Sequence, residues 1–168
     1  MIVFFDTEFT TLNKNGIRRL ISIGCIAQNG SEFYAELSDT YHEGLCSEWV
    51  IRNVLPLLQG GECRMSEADL AVRLKKWVEA LDKEVIFRSD SPGVDWPWVE
   101  QLFTFYGCWP KNMKRNPGAM SFDENRQHHR FNVGLQSFWK DNITRQHHAL
   151  VDARSLLFAW KFAIRRGI

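Results

Sequence analysis

The feature that most constrains the fold is an Asn-Gly pair, Asn29-Gly30, set between two runs of strand-forming residues. Such a pair accepts positive φ and closes the short turn whose twist matches an antiparallel hairpin. Residues 19–27 bring Leu20, Ile21, Ile23, Cys25 and Ile26 to the turn, and residues 31–37 carry Phe33, Tyr34, Ala35 and Leu37 away from it. Upstream, Ile2-Val3-Phe4-Phe5 is a continuous apolar run, the pattern of a strand buried on both faces. The chain therefore opens as an antiparallel meander whose first strand is its most apolar. A strand of that kind needs a layer on each side, so the rest of the chain has to supply helices.

Helical spacing does follow. Residues 47–58 place Trp49, Val50, Val54, Leu57 and Leu58 on one side. Residues 66–81 begin with Ser66 as N-cap and line up Leu70, Leu74, Trp77, Val78 and Leu81. Residues 84–88 read as a strand, Pro92-Gly93 as a turn, and residues 95–106 as a helix opened by Asp95, with Pro97 in its first turn and Gly107 ending it. Residues 111–132 are polar, basic and weakly patterned, and read as a variable loop or a short strand near Ala119-Met120-Ser121-Phe122. A last helix spans 149–164, with Leu150, Ala153, Leu156, Leu157, Trp160 and Ile164 facing inward. No repeat or linker interrupts the order. The expectation is one α/β domain over residues 1–168, with a central mixed sheet flanked by helices.

Charge excludes little: 21 basic and 20 acidic residues give a net +1, so any attraction for phosphates has to be local. Cys25, Cys46, Cys63 and Cys108 contain no C-x-x-C pair, which argues against a zinc knuckle or a thioredoxin motif. No stretch approaches the roughly 20 apolar residues that span a bilayer. The apolar opening meets Asp6 and Glu8 too early for a signal peptide. The expectation is a cytoplasmic protein with reduced thiols and no membrane partner.

Three acidic segments carry the candidate chemistry. In Asp6-Thr7-Glu8, residues two apart on a strand share a face, so two carboxylates project side by side at the end of an apolar strand. Their repulsion raises at least one pKa unless cations balance them, and hard oxygen ligands suit Mg²⁺ or Mn²⁺. The plain alternative is a strand that has surfaced and left both acids solvated. In His147-His148-Ala149-Leu150-Val151-Asp152, Asp152 sits on the apolar side of a helix's first turn, where a carboxylate needs a partner. His147, just ahead of that helix, could share the same cleft as a proton acceptor near neutrality. An acid placed at the positive end of a helix dipole would look the same. Asp95, after a strand and a Pro-Gly turn, reads either as a third site carboxylate or as an N-cap, with Asp90 as its neighbouring competitor.

Taken in order, acid-x-acid on the first strand, an acid at a mid-chain helix start and H-x4-D at the last helix resemble the DEDDh 3′→5′ exonuclease superfamily, whose fold is ribonuclease-H-like. Phe5-Asp6-Thr7-Glu8-Phe9, Leu20-Ile21-Ser22-Ile23-Gly24, Val94-Asp95-Trp96 and His147 through Arg154 are most similar to a bacterial subgroup of small exoribonucleases first recognised in mycobacteria. The resemblance is thin over residues 111–144. The sequence also departs from the pattern: Thr11 replaces a common glycine before Leu12, and Asp90-Ser91 replaces a common His-Asn.

The resemblance implies two divalent cations, Mg²⁺ or Mn²⁺, held by Asp6, Glu8, Asp95 and Asp152, with His147 as general base. It implies a nucleic-acid substrate with a free 3′ end, RNA before DNA, and a nucleoside monophosphate product. It is compatible with a homodimer. Phe9, Leu12 and Trp96 are the expected substrate contacts, although Phe9 also reads as core. Arg115, Arg126, Arg130 and Arg145 either guide the backbone or form an ordinary solvated face. A DNA exonuclease and a catalytically silent nucleic-acid-binding module are the alternatives.

Overall fold

A computed structural model describes residues 1–13, 16–118, 120–122 and 124–165. Its sheet contains β1 (Ile2–Phe9), β2 (Leu20–Ala27), β3 (Glu32–Leu37), β4 (Arg64–Met65) and β5 (Ile86–Arg88). The strand order is β4-β3-β2-β1-β5. β1, β2 and β3 pair antiparallel, whereas β4 on β3 and β5 on β1 are parallel. The hairpin turns where Asn29-Gly30 requires it, with Gly30 at φ 91° and its N–H donating to the Ala27 carbonyl at 2.8 Å.

The helices are α1 (Glu48–Asn53), α2 (Glu67–Ala80), α3 (Pro92–Phe105), α4 (Asn125–Asn142) and α5 (Ala149–Ile164). Alternation along β1 divides them into two layers. Val3 and Phe5 face a core with Leu70, Leu74 and Val78 of α2 and Val99, Leu102 and Phe103 of α3. Phe4 faces the other way, onto Ile26, Phe131 of α4, and Leu156, Leu157 and Ala159 of α5. Phe4 and Phe5 are fully buried on opposite faces, and each contributes about 1.5–3 kcal/mol of hydrophobic stabilisation. The expected mixed sheet between helical layers is therefore present.

Several expectations need correction. The loop expected over 111–132 gives way at its end to α4, whose Phe131, Leu135 and Phe138 recur at helical spacing. Glu124 provides no side-chain cap, so this helix has no start signal to read. Gly134 lets α4 cross α5 closely, since a Cβ there would lie 2.9 Å from the Ala159 Cα. Residues 120–122 carry no strand, and Ala119 lies outside the described residues, as do Lys14 and Asn15 of the loop after β1. Instead, isolated parallel bridges join Met113 to Val85 and Gly118 to Arg88 at the β5 edge.

The helix expected over 47–58 stops at Asn53 and continues as a 3₁₀ turn, Leu55–Leu57. Pro56 has no N–H to continue an α-helix. α3 starts at Pro92, not at Asp95, so the supposed Pro-Gly turn is already helical and Pro97 sits beyond the first turn. Pro92 serves as the first helical residue, where its fixed φ is already helical. The two-residue strand β4 has no pattern long enough to read from sequence.

Candidate active site

Asp6 and Glu8 continue the Ile2, Phe4 series of β1 and so lie on the α5 side of the sheet. In the register, Asp6 faces Gly24 of β2. A Cβ built on Gly24 would lie 2.1 Å from the Leu150 nitrogen and 2.3 Å from the Ala149 carbonyl carbon. Only glycine lets the first turn of α5 press so closely on the sheet. That contact brings Asp152, also in this turn, to Asp6 and Glu8, and oxygens of all three carboxylates lie within 4.8 Å of one another.

A second group forms from the other edge of β1. Parallel pairing sets the end of β5 beside β1, and the chain runs through Ser89 and Asp90 into α3. Ligand oxygens of Asp6, Asp90 and Asp95 also lie within 4.8 Å of one another. Thr7 points away from Asp6 and Glu8, and its hydroxyl donates to Asp95 Oδ1 at 2.6 Å, while the Ser89 hydroxyl donates to Oδ2. Asp95 is 2% exposed and so is buried with both oxygens hydrogen-bonded. Among the described residues, Asp152 Oδ2 is buried without a hydrogen-bond partner.

Crowding and burial shape the electrostatics. Burial, followed by Asp95, Glu8, Asp152 and Asp90, raises the Asp6 pKa well above the usual carboxylate range. Burial, followed by Asp152 and Asp95, pushes Glu8 up to about 9. Burial is the largest cause that raises Asp152 to about 7. Without cations, these groups therefore retain protons near neutrality. The oxygen-only donor set, with one orphaned carboxylate oxygen, fits a hard divalent cation.

The two histidines occupy different surroundings. His147 lies in the left-handed region at φ 72°, and its ring meets Trp49 edge-on at 4.6 Å. Burial lowers its pKa, which favours the neutral ring. His148 is buried, stacks on Tyr34 at 4.5 Å and lies 2.9 Å from the Gln59 side-chain nitrogen. Its backbone carbonyl accepts the N–H groups of Val151 and Asp152.

A cleft of about 560 Å³ joins these groups; Asp6, Glu8, Asp90, Asp95 and Asp152 line it together with His147. Phe9 and Leu12 line it too, and Leu12 is 69% exposed at the mouth. The Thr11 hydroxyl accepts the Asn13 N–H at 3.0 Å.

Trp96, expected at the substrate, is 6% exposed and packs against Phe87 and Trp109 instead. Its neighbours Val94 and Ser91 face the cleft. Successive residues of an α-helix point about 100° apart, so a position next to Asp95 in sequence need not share its site. Arg115, Arg126, Arg130 and Arg145 are not among the cleft residues; Arg115 lies over Trp109 and Arg130 over Phe162.

Sequence reasoning ranked Asp90 only as a competitor and missed Thr7, Ser89 and Trp49. Thr7 carried a readable signal, since the residue between two same-face acids must point to the opposite side. Trp49 fitted an apolar helical stripe but is 49% exposed and lines the cleft, whereas Val50 and Val54 of the same run are buried.

No protein-family profile matches the sequence. Two Mycobacterium tuberculosis proteins, from different strains and each named 3′-5′ exoribonuclease, are 29% identical to it over 94% of this chain and 89% of theirs. An E. coli exonuclease I–single-stranded DNA complex superposes with TM-score 0.56 at 13% identity over 98% of this chain. A product-bound exonuclease I superposes with TM-score 0.58 at 14% identity, again over 98%. This chain spans 40% and 43% of those two longer chains. In sequence over nearly its whole length the chain resembles proteins named 3′-5′ exoribonuclease, and in fold it resembles exonuclease I.

Proposed function

We propose that this chain is a metal-dependent 3′→5′ exoribonuclease that releases nucleoside 5′-monophosphates. The observation that carries the reading is the pair of carboxylate triads sharing Asp6 at the floor of one cleft, with His147 beside them. The similarity to proteins named 3′-5′ exoribonuclease supports the same reaction class.

Asp6, Glu8 and Asp152 would hold one Mg²⁺ or Mn²⁺, and Asp6 with Asp90 and Asp95 a second. Such cations would offset the crowded negative charge and would supply Lewis-acid polarisation of the scissile phosphodiester. The hydrogen bonds from Thr7 and Ser89 fix the orientation of Asp95. Phe9 and Leu12 hold the terminal base by apolar and stacking contact, which accepts any base.

His147 is held neutral by partial burial and braced by Trp49, so it can accept a proton near neutral pH. It takes that proton from the water that attacks the last phosphorus. The bond from phosphorus to the 3′-oxygen of the preceding nucleotide breaks. The released nucleotide keeps its 5′-phosphate, and the leaving 3′-oxygen takes a proton from solvent, so the shortened strand ends in a new 3′-hydroxyl.

Digestion of labelled RNA and DNA strands, with and without Mg²⁺, tests the reading. Stepwise Mg²⁺-dependent release of mononucleotides from a free 3′ end, faster on RNA, is expected. Faster digestion of DNA would transfer the assignment to a DNA exonuclease. Binding without cleavage would leave a silent nucleic-acid-binding module, and cleavage of a circular strand would refute an exonuclease.

A further inference from the structure

A second, polar cavity adjoins the acidic cleft on the far side of Phe9. Phe9 lines the cleft, and its ring lies 6.0 Å from that of Trp98. The Arg18 guanidinium sits over the same phenyl ring at 6.0 Å and donates to the Leu12 carbonyl at 2.7 Å. Arg18 and Trp98 then line the neighbouring cavity, of about 440 Å³, together with Arg19 and Gln101. Phe9 of the cleft thus meets the second cavity through its contacts with Arg18 and Trp98.

The charges in this cavity are arranged unequally. Arg18 and Arg19 use backbone carbonyls as partners, Leu12 and Arg18 respectively, and neither forms an ion pair among the described residues. A guanidinium that has only carbonyl partners keeps donors for an anion, and its planar fork suits phosphate. Asp39 and Glu67 also line the cavity. Asp39 accepts the Glu67 backbone N–H at 3.0 Å, and Glu67 accepts the Tyr106 hydroxyl at 3.4 Å. The acidic wall repels a phosphate and favours groups that donate, such as sugar hydroxyls and exocyclic amines of bases. An aromatic residue and two arginines that form no ion pair among the described residues, in a cavity that also holds carboxylate acceptors, match one nucleotide unit of a single strand: base, phosphate and donor groups.

We infer that this cavity is a subsite for the nucleotides 5′ of the one being removed, reached over Phe9 from the acidic cleft. The inference rests on the proposed exonuclease reading and extends it to substrate length. The enzyme should favour strands long enough to cross Phe9 over substrates confined to the cleft. Arg19 and Gln101 lie outside the acidic cleft, so changing them should leave the hydrolytic step alone.

The test compares two substrates at fixed Mg²⁺: a single-stranded RNA decamer, and the p-nitrophenyl ester of a nucleoside 5′-monophosphate, which cannot reach the second cavity. Arg19→Glu should raise KM for the decamer roughly 3- to 10-fold while the ester is hydrolysed as in wild type. Gln101→Lys, which adds a cation to the same cavity, should lower KM for the decamer. Arg19→Ala should flatten the dependence of log kcat/KM on log salt by about 0.7 for the lost phosphate contact. Melting temperatures confirm that each variant is folded. Equal effects on both substrates, or none on either, would overturn the subsite while leaving the exonuclease reading standing. A wild-type protein that cleaves neither substrate would overturn both.

Discussion

Gly24→Ala tests whether the site depends on the backbone contact between β2 and α5. The added methyl would lie 2.1–2.3 Å from the backbone of Ala149 and Leu150. Backing off to ordinary contact near 3.4 Å requires a shift of roughly 1.3 Å in the first turn of α5. Both neighbours are backbone, so no side-chain rotation can relieve the clash. Overpacking of this kind costs about 1–3 kcal/mol, which for a domain of this size lowers Tm by several degrees. Asp152 and His147 move with the turn, whereas Asp6 and Glu8 stay on β1. A displacement of about 1 Å at reacting groups can reduce turnover on the order of 10²-fold. Thermal melting and Mg²⁺-dependent release of mononucleotides, measured on the same preparation, check both effects. Gly24→Ala with wild-type Tm and wild-type kcat would refute the argument that this close approach builds the site.

The crowded carboxylates give a stability prediction with a definite sign. Asp152 and Glu8 have folded pKa values raised to about 7 and about 9, so the metal-free fold binds more protons than the unfolded chain above roughly pH 4. The metal-free Tm should therefore fall as pH rises from about 4 through 9, and Mn²⁺ should recover it most strongly at the alkaline end; a Tm flat across that range counts against a crowded acidic site. Asp6→Asn should raise the metal-free Tm at pH 8 by removing a buried acid that folding must either protonate or hold charged among like charges, yet lose most of the Mn²⁺-induced gain and the activity. His147→Ala should lower kcat by about 10²–10⁴-fold and keep the Mn²⁺-induced rise in Tm. His148→Ala should instead lower Tm, because it removes a buried ring from Tyr34 and Gln59, and a kcat loss confined to that variant would move the general base by one residue.

Local signals made much of the fold legible. The Asn29-Gly30 pair, the apolar Ile2–Phe5 run and the Ser66 cap each report on neighbours in sequence, and the sheet and helices they predict are present. Ser66 accepts the Asp69 N–H at 3.1 Å, as a capping residue should. α4 escaped because its start has no cap and its polar residues outnumber Phe131, Leu135 and Phe138. Its stability comes from the close crossing at Gly134 and Ala159, a contact between segments far apart in the chain.

For the candidate site, the sequence by itself determined the chemistry available: alternation set Asp6 and Glu8 side by side, and a helix start carried Asp152. Tertiary structure alone decided which groups meet. Asp90 joins Asp6 because β5 runs parallel to β1, and Trp96 misses the cleft because its direction on α3 carries it into the core. His147 and His148 are adjacent in sequence, yet one faces the cleft and the other is buried under Tyr34. Residue type and spacing fix the direction of a side chain only relative to its own element. Which elements lie opposite depends on strand order and on backbone approaches such as that at Gly24, where the energy comes from contacts that no local pattern encodes.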